Sequence, residues 1–125
     1  MDNLILSSLG HTWIFDIDGT LVKHNGYLLD GHDTLLAGVK EFFEENIRDC
    51  DTVILLTSRK EQYIGSTKDF LLNNGIHFDY LLSDIPFGER ILINDKKLSG
   101  LETAKAINIE RDNFTIGKVL VNEKL

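Results

Sequence analysis

The run "TVILLT", residues 52–57, constrains the fold more than any other part of the chain. Six residues without a charge, β-branched at the start and closed by a threonine, read as a strand covered on both faces, the form taken in a parallel sheet. An earlier run, "TWIFDI" at 12–17, reads the same way. Between them lies "TLLAGVKEFFEENI", with Leu35, Leu36, Val39, Phe42, Phe43 and Ile47 at helical spacing and Asp33 or Thr34 as N-cap. Strand, helix and strand in that order predict parallel pairing through a crossover helix.

The rest of the chain extends the alternation. "KEQYIGSTKDFLLNN" predicts a second helix that stops at Asn74-Gly75, and "FDYLLS" and "RILIN" predict two short strands. "GLETAKAIN" predicts a third helix packed on the sheet, and "NFTIGKV" a last edge strand. The expected fold is therefore α/β: a three-layer, Rossmann-like domain with a central, mainly parallel sheet. At 125 residues one domain spanning 1–125 is expected. Ligands of such sheets bind at the carboxyl ends of the strands.

Those strand ends carry the polar residues of interest. The stretch "WIFDIDGTLV" places Asp16 and Asp18 around one isoleucine at the end of an apolar strand. Carboxylates there are costly to desolvate unless something cationic meets them. Thr57 closes the second apolar run, and Asn94 and Asp95 close "RILIND". Carboxylates converging on one crevice repel unless a hard divalent cation sits between them, and oxygen ligands of this kind favour Mg²⁺, which also takes phosphate oxygens.

In this order the three stretches resemble signatures of the haloacid dehalogenase superfamily of phosphatases: "WIFDIDGTLV" the first, "VILLTSR" the second and "ILINDKK" the fourth. The resemblance implies that Asp16 is the nucleophile that forms an aspartyl-phosphate. Asp18 would be the general acid and then the base, with its backbone carbonyl a metal ligand. Gly19 would permit the tight turn and Thr20 would fix the loop. Thr57 would hold the phosphoryl oxygens with help from Ser58, Arg59 and Lys60. Asp16, Asp18 and Asp95 would form the Mg²⁺ shell, with Asn94 beside them. The third signature of the family is a lysine. "SDIPFGERILIND" has none, which leaves Arg90 as the first substitute and Lys68, Arg59 or Lys60 as the others.

Only a short flap, residues 20–31 with a turn at Asn25-Gly26, stands where many relatives carry a cap domain. The resemblance is thus to the capless branch, whose sites are open unless a partner subunit covers them: either the substrate is large or a second copy of the chain supplies the lid. The function expected is Mg²⁺-dependent phosphomonoester hydrolysis, on a phosphosugar or related small metabolite. The alternative is a phosphate- or metal-binding module of the same fold with weakened turnover. A receiver domain is disfavoured because "VILLT" offers no central-strand aspartate.

Composition narrows the partners. A net charge of −7 argues against a broad nucleic-acid or anionic-membrane surface. The N-terminal "MDNLILSSLG" is acidic where a signal peptide is basic, and no apolar run reaches the roughly 18–20 residues that span a bilayer. The lone Cys50, flanked by Asp49 and Asp51, reads as structural and fits a reducing compartment. A cytoplasmic location is expected. The four histidines, His11, His24, His32 and His77, have no metal-ligand spacing.

Overall fold

In a computed structural model describing residues 2–125, the two apolar runs are adjacent parallel strands. Strand β1 is Leu4–Leu6 and β2 is Thr12–Asp16. A short helix α1, Gly26–Leu29, precedes α2, Val39–Asn46, and strand β3, Thr52–Leu56. A 3-10 turn at Glu61–Tyr63 leads into α3, Ile64–Asn73, followed by β4, Tyr80–Leu82, and β5, Val119–Val121. Two parallel sheets result, one of β2, β3 and β4 in that order and one of β1 with β5. This is a small α/β, Rossmann-like fold.

Register explains how the main sheet is buried. Trp13 pairs with Val53 and Phe15 with Leu55, so these four side chains share one face. Helix α2 packs there: the Phe15 and Phe43 rings lie 4.8 Å apart and those of Trp13 and Phe42 5.6 Å apart. Val39, Ile17, Leu21, Val22, Leu71 and Ile76 complete the core. Burial of each such side chain contributes roughly 1.5–3 kcal/mol. The other face carries Ile14 and Tyr80, which are 49% and 59% exposed. The strand "TVILLT" is therefore half-covered: Val53 and Leu55 are buried while Ile54 and Leu56 are only partly so.

Three expectations fail between residues 83 and 118, and with them the third layer. "RILIN" forms no strand, and Ile91 and Ile93 are 82% and 90% exposed. A run this short is a strand only when a neighbour takes up its hydrogen bonds. Instead the chain turns on itself: Lys97 N–H donates to the Leu101 carbonyl, and Gly100 N–H to that of Lys97. "GLETAKAIN" forms no helix, since nine residues are too few to hold a helix without packing. The last strand begins at Val119, so "NFTIGKV" overlaps it by one residue, and its partner β1 had no counterpart in the sequence reading.

The flap is the other departure. Residues 34–36 do not start α2. They run antiparallel to 21–23, with Lys23 N–H donating to the Thr34 carbonyl and Leu36 N–H to that of Leu21. The flap is thus a hairpin with α1 at its tip in place of a two-residue Asn25-Gly26 turn: Asn25 is left-handed at φ 57°, but Gly26 begins the helix. Helix α2 starts only after Gly38, itself at φ 90°, so neither Asp33 nor Thr34 caps it. Among the described residues no helix is long and apolar enough to cross a membrane. Cys50 is exposed.

Candidate active site

Strands β2 and β3 end side by side, which brings the first and second signature stretches together. The chain leaves β2 at Asp16 and turns at once. The Ile17 carbonyl accepts from the N–H groups of Thr20, Leu21 and Val22, and Gly19 turns at φ 83°, a conformation open to glycine. The Thr20 hydroxyl donates to Asp16 Oδ2 at 3.4 Å.

Asp16 remains partly open to solvent. Partial burial pushes its carboxyl above the ordinary range; Arg90 pulls it back, and the neighbouring Asp18 pushes it up again. Arg90 Nη2 lies 3.5 Å from Asp16 Oδ1. Its other terminal nitrogen is tied to the Pro86 and Gly88 carbonyls at 3.0 and 2.7 Å, which aims the guanidinium. Of the four basic candidates, Arg90 is the one beside Asp16. Lys60 pairs on the surface with Asp84 at 2.5 Å, and Lys68 is on the exposed side of α3.

Arg59 has a different place from the one expected. It is 4% exposed, and its guanidinium holds two carboxylates. Nε and Nη2 donate to Asp18 Oδ1 at 3.0 and 2.8 Å. Nη1 and Nη2 donate to the two oxygens of Asp33 at 2.8 and 2.7 Å, and Nη1 also reaches Thr67 Oγ1 at 2.9 Å. Burial works against its charge, but the bonds to Asp33 and Asp18 outweigh burial and hold the guanidinium above even its ordinary range. The Tyr27 ring covers it, 3.8 Å from the central carbon. Arg59 is therefore committed within the protein and is not a phosphate ligand here.

Thr57 is fully buried and turned the same way. Its hydroxyl donates to Asp18 Oδ2 at 2.8 Å and accepts from Arg59 N–H at 3.1 Å. Its own N–H donates to the Leu82 carbonyl, so neither donor is left for a phosphoryl group. Thr57 orients Asp18. Ser58, half-buried, adjoins it.

The metal set implied by the resemblance does not fit. Asp95 lies in the exposed 91–100 stretch, its carbonyl accepting from Thr103, while Asn94 Nδ2 donates to Thr103 Oγ1 at 2.6 Å. Both Asp18 carboxylate oxygens are engaged by Arg59 and Thr57, so of the expected ligands the Asp18 backbone carbonyl and the open Asp16 carboxylate are together, without Asp95. Among the described residues no three His, Cys, Asp or Glu side chains gather as a metal site would need.

Sequence reasoning missed Asp33, Tyr27 and Asp112. Asp112 N–H donates to the Gly19 carbonyl at 2.8 Å, and its Oδ1 accepts from His24 N–H at 2.7 Å, latching the loop after Asp16. His24 Nδ1 is buried against this loop with no protein partner. Asp33 had no readable signal of its own, because its partner Arg59 is 26 residues away.

No family model matches the chain, and no curated protein matches it. Among solved structures, a chain of the Pnkp1/Rnl/Hen1 complex aligns with a TM-score of 0.52 at 30% identity, over 67% of this chain. This chain spans 31% of the length of that one. The likeness supports the α/β fold.

Proposed function

We propose that this chain is a phosphomonoester hydrolase of the haloacid dehalogenase type, acting through Asp16. One observation carries the reading: an open aspartate at the end of β2 faces a tethered arginine, while two residues on, Asp18 is held by the threonine that ends the neighbouring strand. Asp16 Oδ bonds to phosphorus as the ester P–O bond breaks, and a proton on Asp18 passes to the leaving oxygen. Water then attacks the aspartyl-phosphate, Asp18 takes its proton, and inorganic phosphate departs. Arg90 offsets charge on the phosphoryl oxygens.

The proposal takes in a capless domain, a small phosphorylated substrate such as a phosphosugar, a second copy over the open site, and a cytoplasmic location. Magnesium is the cofactor the resemblance implies; no step above is routed through it.

The experiment is phosphate release from phosphosugars, nucleotides and an aryl phosphate, with and without Mg²⁺, for wild type and Asp16→Asn. Release that the substitution abolishes supports the reading. Wild type and variant alike in releasing nothing overturns it in favour of a second: a phosphate-binding module with weakened turnover. That alternative is favoured by the commitment of both Asp18 oxygens to Arg59 and Thr57.

A further inference from the structure

All five N–H groups of the Arg59 guanidinium have acceptors: one bond from Nε to Asp18, one each from Nη2 to Asp18 and Asp33, and one each from Nη1 to Asp33 and Thr67. Such saturation is uncommon at a surface and fixes the guanidinium plane in three directions. Asp18 lies on one edge, helix α3 supplies Thr67 on another, and the flap supplies Asp33. The flap contributes a second time through Tyr27, whose ring lies on the guanidinium face and meets the Tyr63 ring edge-on, with centroids 5.1 Å apart. Thr67 is itself fixed, its hydroxyl donating to the Tyr63 carbonyl at 2.7 Å.

We propose that Asp33 and Tyr27 are positioning residues that act through Arg59, so that the seating of the 20–36 flap sets where the Asp18 carboxylate stands. The inference rests on the phosphatase reading above. Its physical basis is that Asp18 has two anchors of unequal reach. Thr57 directly follows β3 and is tied to β4 by its N–H bond to the Leu82 carbonyl, whereas Arg59 is shared between Asp18 and the flap. Loss of the Asp33 end leaves two guanidinium N–H groups without acceptors in a buried site, and the fork rotates to regain them. Asp18 then loses its orientation toward the leaving oxygen while Asp16 and Arg90 are unaffected.

This separates the two halves of the reaction by leaving group. A poor leaving group needs the proton Asp18 delivers; a good one departs without it. The test compares phenyl phosphate with p-nitrophenyl phosphate for wild type, Asp33→Asn, Tyr27→Phe and Tyr27→Leu. Asp33→Asn is expected to lower kcat on phenyl phosphate by about tenfold to a hundredfold, a partial loss of the roughly 10²–10⁴-fold that a positioned acid contributes. On p-nitrophenyl phosphate its kcat falls by less than about threefold, and KM is little changed on either ester. Tyr27→Phe, which keeps the ring, behaves as wild type, and Tyr27→Leu falls in the same leaving-group-dependent way as Asp33→Asn.

An equal loss on both esters in Asp33→Asn overturns the inference, as does wild-type behaviour on both. Failure of Asp33→Asn to fold leaves Tyr27→Leu to decide: an unchanged ester ratio there overturns it. A wild type that releases phosphate from neither ester nor any compound of the panel above overturns the phosphatase reading, and this role with it; one active on phosphosugars alone, with Asp33→Asn at the wild-type kcat there, overturns this role only.

Discussion

The indole Nε1–H of Trp13 donates to Asp51 Oδ2 at 3.1 Å, joining the start of β2 to the turn before β3. Asp51 also accepts from the His11 and Arg48 backbone N–H groups at 2.9 and 3.0 Å and from the Arg48 side chain. Its carboxylate side chain is fully buried. Burial opposes the charge, yet these donors prevail and lower its pKa to about 2. Because the folded value lies below the unfolded one, the stabilisation is complete above about pH 4 and is lost as pH falls through about 2. The difference from the ordinary value amounts to about 2 kcal/mol. Asp51→Asn is therefore expected to unfold about 2 kcal/mol more easily at pH 7, with the gap to wild type closing near pH 2. Denaturant midpoints at the two pH values check this.

Thr57→Val removes a donor from Asp18 and an acceptor from the Arg59 N–H at a site with no solvent access. A loss of roughly 1–3 kcal/mol is expected in chemical denaturation. Thr57→Ser keeps both bonds and should recover most of it.

Arg90→Ala should leave stability within about 0.5 kcal/mol, because its contacts are exposed. Under the proposed function, kcat/KM falls by about tenfold to a hundredfold, or ~1.4–2.7 kcal/mol. Arg90 lowers the Asp16 pKa, so its loss moves the acid limb of the pH profile to higher pH. Rate profiles for the two proteins decide the sign.

Amides of residues 90–108 should exchange with solvent far faster than those of β2 and β3. The former segment has few backbone hydrogen bonds and exposes Ile91, Ile93 and Leu98, while the latter strands pair on the core. Protection of 90–94 equal to that of β2 would contradict the irregular course of that segment.

The elements that were legible in the sequence are those in which local pattern and partner agree. "TWIFDI" and "TVILLT" are strands because each supplies an alternating core face to the other, and α3 ends at Asn74-Gly75 as its sequence indicates. "RILIN" has the same local preference as these strands and no partner, so preference alone did not suffice. At the site, Asp16, Gly19 and Thr20 could be placed from their spacing to the strand end. The choice among Arg90, Arg59, Lys60 and Lys68 could not, because it depends on which cation finds a buried carboxylate, and Asp33 lies on a flap whose return strand reads as the start of a helix.

The latch of Asp112 on Gly19 and His24 spans 88 residues between its two ends at His24. During synthesis, β2, β3 and β4 can pair once residue 82 has left the ribosome, while Phe114, whose ring packs edge-on against Phe42, joins the aromatic core later. The loop that presents Asp16 has to wait for residue 112. A nascent chain thus passes through a stage in which β2, β3 and β4 are complete while the loop after Asp16 is still unlatched and β1 still lacks its partner β5.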